Sequence, residues 1–246
     1  MKQQIVYGIR PVIEAIESGQ QIEKVLLQNG MGGPLMGELK SKIREHGIPF
    51  QYVPPERLAK LTAGNHQGVV ATIGAVRYKA FAELIETLGP QATVVMLDRV
   101  TDVRNVGAIA RTAECTGVDA LIVPDHGSAA LNEDAVKTSS GALLRLPVCR
   151  EANLKTTINL AKQYGFQIVA ATEKGAVHYR DVDFNHPTVI VMGNEETGIG
   201  NDLLRMCDVR ASLPMVGSVA SLNVSVAAGV MLYEALEQHN TANIKQ

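Results

Sequence analysis

The stretch Thr93–Pro124, TVVMLDRVTDVRNVGAIARTAECTGVDALIVP, decides the fold class. It opens on the apolar run Thr93–Leu97 (TVVML) and closes on Ala120–Pro124 (ALIVP). Between them Asn105–Thr116 reads as a helix, with Asn105 positioned to cap it. Two continuous Val/Ile/Leu strands joined by a helix imply parallel strands with both sheet faces covered. The pattern continues through a helix over Glu133–Ser140, a strand over Leu144–Val148 and a helix over Asn153–Tyr164 that ends at Gly165. Strands Phe166–Ala171, Thr188–Met192 (TVIVM) and Val209–Leu213 follow, with a short helix Asn201–Met206 before the last. A long helix then runs from near Ser221 to His239. In such sheets ligands bind in loops beyond the carboxyl ends of the strands.

Upstream the composition changes. Gly8–Ser18 reads as a helix with Pro11 in its first turn and Ile9, Val12, Ile13 and Ile16 on one face. Lys24–Gln28 is a strand, Leu35–His46 a helix stopped by Gly47, Pro49–Val53 a strand, Pro55–Leu61 a short helix and Gly68–Ile73 a closing strand. A βαβ-type unit of this size can fold alone. Val76–Gln91 reads as a linker carrying a short helix, Ala80–Leu88. The expected division is thus 1–75, a linker over 76–91, and 92–246.

The chain has 246 residues, 46% hydrophobic and 20% charged, which is a globular balance. No apolar run approaches the roughly 20 residues that cross a bilayer. Met1-Lys2-Gln3-Gln4 leads into strand-like sequence without the zones of a secretory signal. Cys115, Cys149 and Cys207 are odd in number and far apart, which argues against a disulfide framework and fits a reducing cytoplasm. Secreted, membrane-spanning and fibrous classes are excluded on these grounds. The formal net charge is −2, but residues 1–80 carry ten Lys/Arg against six Glu, and residues 81–246 carry 13 basic against 19 acidic side chains. A basic front on an acidic remainder suggests that the two parts meet different partners.

Common signatures are missing: no G-x-G-x-x-G after the first strand, no G-x-x-x-x-G-K-[ST], no H-E-x-x-H, no C-x-x-C and no G-x-S-x-G. Dinucleotide, Walker-type phosphate, zinc and serine-hydrolase readings therefore have no support. The six His show no ligand spacing, and no metal is expected.

Three strand-end loops carry polar groups beside small residues. After Thr93–Leu97 come Asn105 and Arg111, on a helix made slim by Gly107, Ala108 and Ala110. A guanidinium is a planar fork suited to phosphate; the plainer alternative is an Arg111–Glu114 surface pair. After Thr188–Met192 come Gly193-Asn194-Glu195, which place a carboxylate at a strand end on a backbone free to hug a ligand. The alternative for Glu195 is an acid near the positive end of the Asn201 helix. After Val209–Leu213 the chain reads Leu213-Pro214-Met215-Val216-Gly217-Ser218-Val219-Ala220-Ser221-Leu222-Asn223, where Ser221 and Asn223 are equally candidate helix caps.

Taken together, N-x-x-A-x-x-R-T-A (Asn105–Ala113), G-N-E-x-x-G (Gly193–Gly198) and L-P-M-x-G-x-x-x-S-L-N-V-S-V-A (Leu213–Ala227) resemble the three motifs of the SpoU/TrmH family of RNA ribose 2′-O-methyltransferases, in the SPOUT superfamily. Val6–Val12 and His66–Val69 are similar to the family's ribosomal-protein-like α/β RNA-binding domain. The resemblance implies an α/β fold whose carboxyl-terminal parallel-sheet domain ties a trefoil knot, a rare exception to unknotted topology. It implies S-adenosylmethionine as cofactor, held around Gly193, Leu213, Met215 and Leu222. It implies Asn105, Arg111, Glu195, Ser221 and Asn223 as the polar catalytic set. It further implies RNA as substrate and a cytoplasmic homodimer without membrane contact. The two-domain layout points to a guanosine of 23S rRNA; tRNA, or a non-catalytic ribosome-assembly role on the same fold, are the alternatives. Val103 stands where many relatives have Pro, and Glu196 where many have Gly.

Overall fold

The computed structural model describes residues 5–173, 175, 177–218 and 221–244. The amino-terminal Met1-Lys2-Gln3-Gln4 segment and Val219 and Ala220 of the third motif lie outside the described residues. The chain divides into two compact units, the first running through Arg77 with Leu131–Glu133, the second comprising the rest from Tyr78.

In the first unit, β1 (Ile5–Tyr7), α1 (Ile9–Glu17), β2 (Ile22–Gln28), α2 (Pro34–Glu45), β3 (Phe50–Val53), α3 (Pro55–Ala59) and β4 (Val69–Ile73) follow in order. The sheet order is β1-β4-β2-β3. Only the β2–β3 pair is parallel; β4 lies antiparallel between β1 and β2, so the βαβ arrangement holds for β2-α2-β3 alone. Strand alternation sends Val25, Leu27, Val69 and Ala71 to one face, where they pack with Val12, Ile16, Met36 and Leu39 of the two long helices. Leu26 and Val70 face the other way, onto Leu58 of α3. Gly8, at φ +93°, lets the chain turn from β1 into α1.

The second unit contains β5 (Tyr78–Lys79), α4 (Phe81–Leu84), β6 (Thr93–Leu97), α5 (Val103–Cys115), β7 (Ala120–Pro124), α6 (Glu133–Thr138), β8 (Val148–Glu151), α7 (Leu154–Gln163), β9 (Gln167–Ala171), β10 (Val177–His178), β11 (Thr188–Met192), α8 (Asn201–Leu204), β12 (Val209–Ser212) and α9 (Val224–Ile244). Its strands form one sheet in the order β10-β12-β9-β11-β6-β7-β8-β5, and every pairing is parallel. All five residues of β6 and of β11 are buried, as the continuous apolar runs require. Gly107 lets α5 approach α6, since a Cβ there would stand 2.7 Å from Thr138 Cβ.

Three local expectations change. Ala142–Leu144 is a 3-10 turn rather than the start of a strand, and β8 begins at Val148. Gly141 at φ +83° starts that turn, and Pro147 lacks the N–H that a central strand needs. The stretch read as a linker is integrated into the second unit: Tyr78–Lys79 pairs with β8, and Phe81 and Ile85 are buried in the core with Met96 and Ile122. The cap of α5 is Asp102, whose carboxylate accepts from the Arg104 N–H at 2.8 Å, so Asn105 lies inside the helix. All three cysteines are free. Among the described residues no helix is long and apolar enough to cross a membrane.

Candidate functional site

The strand-end loops of the second unit converge. A cavity of about 280 Å³ opens at the carboxyl ends of β9, β11 and β12, which are adjacent in the sheet. Its walls include Gly193, Leu213, Met215, Ser221 and Leu222, and Glu195 stands among its polar lining. Three stretches distant in sequence, 171–173, 192–198 and 211–227, contribute to it, because a parallel sheet brings every carboxyl end to the same edge.

Gly193 is where the backbone is closest. A Cβ there would overlap the main chain of Gly198 and Ile199, so the turn after β11 folds back on itself only without a side chain. Asn194 organises that turn. Its Oδ1 accepts from the N–H groups of Glu196 (2.9 Å) and Thr197 (3.0 Å), and its Nδ2 donates to the Arg99 carbonyl at 2.9 Å. Its own main chain exchanges two hydrogen bonds with Gly198.

Asp98 and Arg99 brace the same turn from β6. The buried Asp98 carboxylate accepts from Gly200 N–H at 2.7 Å and from both Nε (3.0 Å) and Nη2 (3.1 Å) of Arg99. Hydrogen bonding and charge from Asp98 raise the pKa of Arg99 further above its ordinary range. Arg99 holds φ +57°, a region that a non-glycine residue occupies only when its surroundings over-determine it.

The polar motif residues form a chain of hydrogen bonds across three loops. Asn105 Nδ2 donates to Glu195 Oε1 at 2.7 Å, and Asn223 Nδ2 donates to Asn105 Oδ1 at 3.0 Å. Asn223 Oδ1 in turn accepts from the N–H (2.9 Å) and Oγ (2.6 Å) of Ser225 in the first turn of α9. Asn223 is therefore both the cap of α9 and a member of the cluster. Glu195 faces Asn105 rather than α8, whose own cap, Gly200, has no side-chain partner. With donor and acceptor both engaged, the Asn105 amide has a single orientation.

Arg111 stands apart. It lies six residues beyond Asn105 on α5, about 9 Å along the axis and on a different face. It is exposed, and among the described residues it has no ion pair; Glu114 is held instead by Arg145, Nε to Oε1, at 2.9 Å. The structure thus joins Asn105, Glu195 and Asn223 directly, places Ser221 with the cavity walls, and leaves the guanidinium of Arg111 free at the surface.

Residue types alone did not single out Thr172 and Glu173, which line the cavity just past β9, or the Asp98–Arg99 brace. Their position beyond parallel strand ends was the available signal. The lining suits a flat, partly apolar and positively charged guest: Ala171, Met192 and Leu213 supply apolar wall, while Glu173, Glu195 and Glu196 supply negative charge. The absence of a Cβ at Gly193 lets the Gly198–Ile199 main chain pack directly against the cavity wall. Among the described residues no cluster of His, Cys, Asp or Glu could hold a metal ion.

Comparison with known proteins bears directly on this geometry. Residues 92–233 match the SpoU rRNA methylase family, and residues 5–79 match a domain described as RNA 2′-O ribose methyltransferase substrate binding. A Staphylococcus haemolyticus protein assigned to the TrmH family of tRNA/rRNA methyltransferases is 36% identical over 243 residues, covering 98% of each chain. The SpoU methyltransferase AviRb from Streptomyces viridochromogenes, solved in complex with AdoMet, is 28% identical with a TM-score of 0.64, over 98% of this chain and 91% of that one. An AdoMet-bound rRNA methyltransferase from Sinorhizobium meliloti is 29% identical with a TM-score of 0.61, over 96% and 87% of the two chains. With the matched motifs meeting around one cavity at the strand ends, this chain belongs to the SpoU/TrmH family of RNA methyltransferases.

Proposed function

We propose that this protein transfers the methyl group of S-adenosylmethionine to a ribose 2′-hydroxyl of structured RNA, with a guanosine of 23S rRNA as the target. The observation that carries the reading is the Glu195–Asn105–Asn223 chain beside a cavity walled by Gly193, Leu213, Met215 and Leu222. The AdoMet complexes of AviRb and the Sinorhizobium meliloti enzyme support the cofactor, and the match of residues 5–79 supports ribose as the acceptor.

When bound, S-adenosylmethionine supplies an electrophilic methyl carbon on a cationic sulfonium. The chain's part is to hold, align and exclude. Gly193 lets the turn through Gly198 close tightly behind the cavity wall, and the carboxylates of Glu173, Glu195 and Glu196 favour a positive guest. Asn105, fixed from both sides, presents one face of α5 to the acceptor; ordering of this kind removes rotational freedom before reaction. A ribose hydroxyl is a weak acid, so charge must be stabilised as its proton leaves. Arg111 has no competing ion pair among the described residues and is assigned the nucleotide's phosphate and the developing alkoxide. It does not serve as a base, because a guanidinium stays protonated; the proton departs through water or a neighbouring polar group. Ser221 lines the same cavity, and Asn223 orients the Asn105 amide through its hydrogen bond.

The reading also includes a trefoil knot at the carboxyl end of the second unit, a homodimer beside it, and a division into RNA-binding and catalytic domains. The exposed Val226 and Tyr233 of α9, at 52% and 57%, support the dimer. Mapping ribose methylation on total RNA from cells with and without the gene tests the function. Loss of one 23S rRNA guanosine mark is the expected result; loss of a tRNA mark selects the tRNA alternative, and an unchanged map rejects the activity.

A further inference from the structure

Every aromatic side chain of the first unit stands at its surface. Tyr7, Phe50 and Tyr52 are 39%, 36% and 47% exposed, while the core beneath them is built from aliphatic side chains and Met36. Phe50 and Tyr52 lie two residues apart on β3, an edge strand, so their side chains leave the same face. Their ring centroids are 5.8 Å apart and their planes meet at 87°, an edge-to-face arrangement that fixes both rings. The Lys40 ammonium, from α2, lies 5.4 Å from the Tyr52 centroid and donates to the Met31 carbonyl at 3.4 Å; Lys24, bonded to Gln51 at 2.8 Å, lies on the other face of the sheet. Among the described residues Lys40 is in no ion pair, whereas Lys42 of the same helix is held by Glu17 at 2.6 Å.

Exposed rings on a strand with an ammonium beside them that no carboxylate neutralises among the described residues match one partner chemistry: unpaired nucleotides, whose bases stack on aromatic faces while their phosphates meet ammonium groups. A protein strand adding to the β3 edge would need its main chain and no such cation. The excess of Lys and Arg in residues 1–80 favours a polyanion as well.

We propose that the β3 edge, Phe50 and Tyr52 with Lys40 beside them, is a stacking subsite for single-stranded bases of the RNA substrate. This rests on the RNA reading above and adds that the first unit grips unpaired nucleotides. The test uses the full chain and a fluorescein-labelled 12-nucleotide oligo(A) RNA. Stacking on an aromatic ring is worth roughly 5- to 150-fold in affinity per base, so F50A/Y52A should bind at least about tenfold more weakly. K40Q should flatten the dependence of log affinity on log salt by about 0.7. Because the chain contains no Trp, Y52W introduces a sole indole reporter. It should retain binding, with emission quenched by oligo(A) and unaffected by an RNA duplex. Equal binding by F50A/Y52A and wild type, an unquenched Y52W, or no binding of oligo(A) by wild type overturns the subsite. Methyl transfer to RNA from cells lacking the gene is measured in parallel. Transfer by wild type with F50A/Y52A binding unchanged removes the subsite and spares the function; quenching of Y52W without transfer by wild type does the reverse.

Discussion

The two units use opposite surfaces of a sheet. In the second, every strand pairing is parallel, so the carboxyl ends of β6, β9, β11 and β12 share one edge and the loops beyond them meet. In the first, β4 runs against both of its neighbours, so strand ends alternate and no such meeting point arises. What the first unit offers a partner is an edge strand and helix faces. The phenylalanines follow the same division: Phe81, Phe166 and Phe184 of the second unit are buried, whereas Phe50 of the first is exposed. Strand direction therefore decides where polar chemistry can be concentrated, and a mixed sheet is left with recognition.

That contrast can be broken or sharpened by substitution. The largest effect is expected at Arg111. Lysine keeps the charge and loses the fork, so R111K should lower turnover by about 100-fold, the scale of one lost donor to a developing oxyanion. Equilibrium dialysis with labelled S-adenosylmethionine should show cofactor affinity unchanged; full turnover by R111K would refute the assigned role. Next comes Gly193, where an added methyl meets the main chain of Gly198 and Ile199. G193A should cost about 1–3 kcal/mol through overpacking, read as a lower melting temperature together with weakened cofactor binding. Gly37 of α2 is the matched control in the other unit: a Cβ there meets nothing within 4 Å, so G37A should stabilise by about 0.5–1 kcal/mol.

On turnover, E195Q is expected to act less than R111K. The amide can still accept from Asn105 but no longer carries charge, and kcat should fall about tenfold, the worth of one charge-assisted hydrogen bond. Unchanged kinetics would remove Glu195 from the mechanism. The least effect on activity is expected from thiol modification. Burial pushes the Cys149 thiol up to about 12 and the Cys207 thiol up to about 11. Raised values keep both as unreactive thiols at neutral pH, with reactivity returning only as pH climbs toward those values. A maleimide at pH 7 should therefore label the exposed Cys115 first, as peptide mapping by mass spectrometry would show.

How far the sequence could be read depended on what each residue answers to. TVVML, ALIVP and TVIVM coincide with β6, β7 and β11 because burial on both faces demands unbroken apolar runs. The strand expected over Leu144–Val148 slipped to Val148–Glu151, since a stretch with Leu144, Leu146 and Val148 alternating around Arg145 and Pro147 reads alike in a turn and in a strand until Pro147 and Gly141 impose their backbone limits. Asn105 read as a cap because Asn is a good one, but Asp102 reaches the free N–H first and Asn105 turns to Glu195 instead. The part of the site carried by motifs was legible. The part carried by braces, Asp98 with Arg99 and the Asn194 turn, was not, because those bonds join residues about a hundred positions apart.

Composition and periodicity by themselves determined a two-part α/β chain with a parallel-sheet second part, because burial of strands and helices writes its period into consecutive residues. Motif spacing determined which side chains were candidates. Only the tertiary structure decided that Asn105, Glu195 and Asn223 touch while Arg111 stands clear, and that Phe50 and Tyr52 are exposed on an edge. Contacts across loops depend on strand order, and strand order is a property of the whole sheet rather than of any segment within it.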